Sequence, residues 1–238
     1  MKTTFTFAFL LLAYSTIFAQ VLLDIQGLND VSPYNRGAKG FDLRYEGVRG
    51  TPLLFDDWQT AKIQLADRDT FGATAKINVD LEQNLLILQL PGEKVGQVSP
   101  YKLKAFKIED AASRQTQLWT VLREKEVEGT TNSQEKFYEL LHQGKFTLLK
   151  SVKKTFKRAN YKEAYSIGAR YDEYIKGVDY WLREGDKPFQ EIKLKRKSLD
   201  EVLSRYASRM ERIIKNQKLN VSEEKDVIKL LTALEEDN

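Results

Sequence analysis

Asp56 and Asp57 stand side by side before Trp58 in the stretch GTPLLFDDWQTAKIQL (residues 50–65). Two carboxylates beside an indole are the raw material of a sugar-cleaving site, so the spacing matters. Adjacent residues on a strand point to opposite faces, whereas a glycosidase sets two carboxylates roughly 5–9 Å apart across one bond. Asp57 would therefore need a second acid from elsewhere, such as Asp67, Asp69 or Asp80. Calcium also takes clustered aspartate oxygens, but the sequence has no D-x-D-x-D-G loop. The competing reading is a turn in which Asp56 or Asp57 accepts backbone N–H groups while Trp58 covers the core. We expect the turn.

His142 is the only histidine. Imidazole is the usual general base near neutral pH, but this one precedes Gln143-Gly144, a turn that is expected to expose it. No G-x-S-x-G nucleophile elbow accompanies it, and one histidine in a cysteine-free chain does not make a zinc site. We assign no catalytic residue, no metal ligand and no cofactor from the sequence.

The formal charge of +4 is unevenly spread. Residues 21–144 carry a net −3, residues 145–197 a net +8 and residues 198–238 a net −2. The excess lies in two runs. One holds Lys150, Lys153, Lys154, Lys157, Arg158 and Lys162, with Tyr161 and Tyr165 nearby; the other holds Lys193, Lys195, Arg196 and Lys197. If they meet, they form an anion-binding face for lipid head groups, lipopolysaccharide or an anionic glycan. Alternatively they are a solvated face whose edge lysines keep sheets from pairing. Nucleic acid is not expected as a partner.

The elements that must position these residues follow from periodicity. Residues 1–19 read as a secretory signal peptide: one lysine, an apolar run from Phe5, and Ala19 at the cleavage point. That run is short against the roughly 20 apolar residues a membrane span needs. No cysteine follows it, so a lipoprotein is not expected, and the remaining chain must hold together without disulfides. Residues 20–50 read as an irregular arm with one strand at 41–45. Period-two alternation predicts strands around 61–65, 77–81, 85–90, 103–108 and 118–122. Residues 124–135 read as an exposed polar loop. Two hairpins follow, 137–149 and 178–192, with glycines 144 and 185 supplying positive φ at the turns, and a separate strand at 171–175 between them. Ser198 and Glu201 form a capping box for one helix whose apolar stripe runs from Leu199 to Ile214. A break at 218–221 leads to a second helix capped by Ser222. The expected architecture is α+β: a β-rich domain over 20–197, sandwich or barrel-like, mainly antiparallel, and a helical hairpin over 198–238.

In this order, the runs GTPLLFDDWQTAKIQL, INVDLEQNLLIL, KFYELLHQGKFTLLKSVKK, IKLKRKSLDEVL and KNQKLNVSEEKDVIKLL resemble a family of exported Bacteroidota proteins to which no activity is assigned. The resemblance implies a signal peptide, a β-rich body and a helical tail, and transfers no catalytic residue. The functional expectation is a non-enzymatic binding or scaffolding protein of the envelope, periplasmic or extracellular, with a carboxylate-dependent glycan hydrolase as the alternative. An acid-lined cavity with a tryptophan would favour the hydrolase. A dry cavity beneath the helices would favour a lipid carrier, and a filled core with a basic face would favour docking.

Overall fold

The computed structural model describes residues 32–33, 47–72, 74–90, 94–109, 116–158 and 171–236. The expected signal peptide, the expected strand at 41–45, and Tyr161, Lys162 and Tyr165 lie outside them. The chain divides into two compact units, residues 1–116 with 156–174, and residues 117–155 with 175–238.

The first unit contains β1 (Ser32–Pro33), β2 (Val48–Arg49), β3 (Gln59–Leu65), β4 (Thr74–Asp80), β5 (Leu85–Gln89), β6 (Val95–Val98) and β7 (Leu103–Glu109). Their order is β1-β6-β5-β4-β3-β7, antiparallel throughout. β2 pairs in parallel with residues 172–173. Where the sequence alternates, Ile63, Ile77 and Val79 are buried, while Leu86, Ile87 and Leu88 are buried in succession in the apolar run of β5. A stretch buried on both faces ends β4, where Asn78 and Asp80 are buried too. The chain before β3 explains it, because Leu53 bridges Asp80 and the Leu54 N–H donates to the Val79 carbonyl.

The second unit contains most of β8 (Thr116–Arg123), α1 (Glu124–Glu128), β9 (Glu135–Gln143), most of β10 (Phe146–Lys157), most of β11 (Asp172–Glu184) and β12 (Gln190–Ile192). Three helices complete it: α2 (Arg196–Val202), α3 (Ala207–Gln217) and α4 (Glu224–Glu236). The strand order is β8-β9-β10-β11-β12. Both expected hairpins form, with antiparallel registers Thr147–Gln143 and Trp181–Glu191. The helices lie on one face of this sheet. Leu199, Leu203, Met210, Val227, Leu230, Leu231 and Leu234 share a core with Phe146, Leu148, Leu182 and Ile192, all nearly inaccessible to solvent. A smaller cluster joins Val127 of α1 to Tyr138, Leu149 and Trp181, the last two being of opposite parity to Leu148 and Leu182 on their strands. The chain is thus α+β and mainly antiparallel, with a helical hairpin at its C-terminal side. Among the described residues no helix is long and apolar enough to cross a membrane.

Four local expectations are corrected. The polar loop at 124–135 begins as α1, because Val127, its one apolar side chain, is 1% exposed in the Trp181 cluster. The Tyr138 hydroxyl donates to Glu128, and the Lys136 ammonium donates to Glu124 at 2.6 Å. The separate strand at 171–175 is the first part of β11, which runs unbroken from 172 to 184. The expected helix over 199–214 is interrupted by a 3-10 turn at Ser204–Tyr206, which seats Tyr206: its ring meets Phe146 edge-on at 5.4 Å and its hydroxyl donates to Glu184 of β11. The caps differ as well. α2 starts two residues before Ser198, whose Oγ accepts the Lys193 N–H instead. At the second helix, Ser222 donates its N–H to Asn220 Oδ1, and Asp226 in the first turn accepts the Asn220 N–H at 2.9 Å.

Candidate functional site

Asp56 and Asp57 do not form a two-carboxylate site. Leu53 and Leu54 pair with β4 at Asp80 and Val79, and Gln59 pairs with Ile77, so residues 55–58 bow out opposite the single residue Asn78. Asn78 bridges the gap, its Oδ1 accepting the Phe55 N–H at 3.1 Å and its Nδ2 donating to the Phe55 carbonyl at 2.9 Å. That amide takes the role expected of Asp56 or Asp57, whose carboxylates are exposed and have no partner among the described residues. Trp58 is half-buried. Of the acids considered as a partner for Asp57, Asp67 is exposed and Asp69 and Asp80 are engaged elsewhere. Asp80 Oδ1 accepts the N–H groups of Glu82 and Gln83 in the β4–β5 turn, and Asp69 pairs with Lys104 at 3.0 Å. No cluster of metal-ligating side chains occurs among the described residues.

The expectation that the turn exposes His142 is corrected: its side chain is only 10% exposed, and Nε2 lies 3.0 Å from Glu235 Oε1 at the end of α4. A carboxylate only accepts, so Nε2 carries the hydrogen. The same Glu235 oxygen accepts the Phe146 N–H at 2.9 Å. Burial acts to raise the pKa of Glu235, but the Phe146 N–H and His142 outweigh it and hold the carboxyl below its ordinary range. The turn glycine serves this contact. Gly144 does not have positive φ, unlike Gly185 at φ +54°; a Cβ on Gly144 would lie 2.4 and 2.6 Å from the Glu235 oxygens. The carboxylate occupies the space a side chain would need.

The nine expected anion-binding residues do not behave alike. Lys150 is only 17% exposed and is gripped by Glu139 at 3.1 Å and Glu224 at 2.9 Å. Burial acts to lower its pKa, and those two carboxylates together more than reverse that. Lys153 pairs with Asp179 at 2.7 Å and Lys157 approaches Glu173 at 4.0 Å. Lys154 is half-buried and engaged, and Arg158 is exposed. Lys150 and Lys154 also alternate with Lys153 and Lys157 along β10, which puts the two pairs on opposite faces. Arg196 Nε reaches both Asp200 oxygens, at 2.8 and 2.9 Å.

Lys193, Lys195 and Lys197 remain. All three are exposed and have no ionic partner among the described residues. They line an open groove of about 440 Å³ together with Glu191, Ser198 and Glu201. The local fold builds it. β12 ends at Ile192, which is buried in the helix core; the Lys195 N–H turns back to the Lys193 carbonyl, and the Lys193 N–H is tied to Ser198 Oγ. These bonds hold the odd-numbered lysines outward while Leu194 packs against the core and Leu199 enters it. Sequence reasoning located the lysines but missed Glu191, Ser198 and Glu201, whose share in the groove depends on how tightly the chain turns between strand and helix.

The fold thus defines an α+β protein with a charged groove on the β12–α2 connection. No family model matches the chain, and neither a curated protein nor a solved structure matches it.

Proposed function

We propose that this chain is an exported, non-enzymatic binding or scaffolding protein of the bacterial envelope, and that its partner engages the β12–α2 groove. The observation that carries this reading is the isolation of Lys193, Lys195 and Lys197. Lys150, Lys153 and Arg196 are committed to carboxylates within hydrogen-bonding distance, whereas these three present unneutralised ammonium groups around one concavity. Unpaired cations in a groove raise the local concentration of anionic ligands. The seated helix core supports docking over a lid that opens for a lipid, since Leu199, Leu230, Leu231 and Leu234 are fully buried against the sheet.

Native mass spectrometry of the chain, purified gently from its host's envelope, tests the reading. The wild type should carry an added mass that is absent from a K193Q/K195Q/K197Q variant with unchanged circular dichroism and melting temperature. A bare wild-type chain, or an adduct that the triple variant keeps, would overturn it.

A further inference from the structure

The groove is not uniformly cationic. Glu191 and Glu201 line it with the three lysines; both are exposed, neither makes a direct ion pair among the described residues, and Glu191 feels Lys153 only as a charge beyond pairing distance. The neighbouring lysines do not neutralise these acids by direct pairing, although lysine and glutamate share one concavity. A ligand that fits must satisfy both, and from this mixed lining we infer that the groove binds a phosphorylated sugar, the phosphate on the lysines and the sugar hydroxyls on the two carboxylates. This rests on the proposal that the groove is the binding site.

The chemistry favours this class over two simpler ones. A lysine ammonium is a compact point charge with three rotatable donors, suited to phosphate oxygens approaching from several directions. Ionised Glu191 and Glu201 accept hydrogen bonds and donate none. They therefore repel a bare phosphate but receive the hydroxyl hydrogens that a sugar carries. Ser198 adds a donor: its oxygen already accepts the Lys193 N–H, leaving its O–H hydrogen for the ligand. An anionic bilayer fits less well. It is recognised by clustered lysines on a face that can lie against it, and two carboxylates inside a concavity oppose such contact. The volume of about 440 Å³ lies within the range of small-molecule sites, roughly 300–1,000 Å³.

Calorimetry with glucose 6-phosphate, inorganic phosphate, glucose and vesicles containing phosphatidylglycerol decides the matter. Glucose 6-phosphate should bind saturably, and about tenfold more tightly than inorganic phosphate, the factor expected when a ligand gains a hydrogen bond to a charged group. Glucose alone should not bind measurably. An E191Q/E201Q variant should bind inorganic phosphate more tightly and lose most of the preference for the sugar phosphate, a reversal that a merely structural role would not produce. Equal binding of phosphate and sugar phosphate would overturn the inference, as would binding of vesicles without the sugar phosphate, or no saturable binding. If the native adduct is lost in K193Q/K195Q/K197Q and yet glucose 6-phosphate does not bind, the groove stands as the site and the sugar phosphate alone is refuted.

Discussion

Replacing Gly144 with alanine tests how the end of α4 is fastened. Elsewhere such a change is mildly favourable: where the backbone tolerates a Cβ, Gly→Ala stabilises by roughly 0.4–1 kcal/mol, by restricting the unfolded chain. Gly144 does not have positive φ, so the backbone itself does not object. The obstacle is Glu235, whose oxygens would lie 2.4 and 2.6 Å from the new carbon. The carboxylate is the far end of a flexible side chain and will retreat, releasing the Phe146 N–H and His142. Hydrogen bonds to charged groups contribute about 1.5–3 kcal/mol each. Glu235 is 23% exposed, so solvent takes back much of that. After the entropic gain we expect a net loss of about 1 kcal/mol, or roughly 2–4 °C in melting temperature for a chain of this size. Thermal unfolding followed by tryptophan fluorescence, in a cycle with Glu235→Ala, provides the assay. With Glu235 truncated, Gly144→Ala should become neutral or stabilising, because nothing is left to displace. Equal destabilisation in both backgrounds would refute the reasoning.

The same contact predicts a pH dependence. The folded-state pKa of Glu235 lies below its ordinary value near 4.5, so its contribution is present above that pH and is lost as the pH falls through the folded value; the melting-temperature gap between wild type and Glu235→Gln should persist at pH 6–7 and shrink progressively as the pH falls below 4.5. Lys150→Met should destabilise by about 2–4 kcal/mol in urea titrations, because it strands Glu139 and Glu224 around a largely buried position; a loss under about 0.5 kcal/mol would show that those acids rehydrate freely. Asn78→Ala should lower stability by about 1–2 kcal/mol through loss of both bonds to Phe55. Asp57→Asn should stay within about 0.5 kcal/mol and show no calcium-dependent melting shift; a calcium shift in wild type lost in Asp57→Asn would reinstate the metal reading.

Much of the fold was legible because burial imposes a period. Ile63, Ile77 and Val79 are buried where alternation places them, and the stripe of Leu230, Leu231 and Leu234 faces the core as helical spacing requires. Periodicity reports which face a residue takes, not what lies across from it. Glu235 meets a turn 89 residues away and Glu224 meets Lys150 across 74, distances at which no local pattern carries a signal. That is why sequence alone groups Lys150 with exposed lysines, and makes Gly144 look like a backbone device rather than space for a carboxylate. Val127 illustrates the opposite failure: a single apolar residue among EKEVEGTTNSQE has no period, yet one buried side chain is enough to dock a short helix. For the groove, the lysines were readable from charge alone, while the acids beside them were visible only once the turn after Ile192 was known.

Phe146, Leu148 and Leu182 are fully or almost fully covered, in large part by side chains from residues 199–234. A ribosome makes the sheet first. The apolar face of the β9–β10 hairpin must therefore remain bare while some fifty residues, 150–198, are still being added, and the face is closed only by the last helices to emerge. A nascent chain of this design is sticky by construction during that interval, since exposed apolar strand faces aggregate readily. Its yield in any host will depend less on the stability of the finished fold than on what shields that face until α4 arrives.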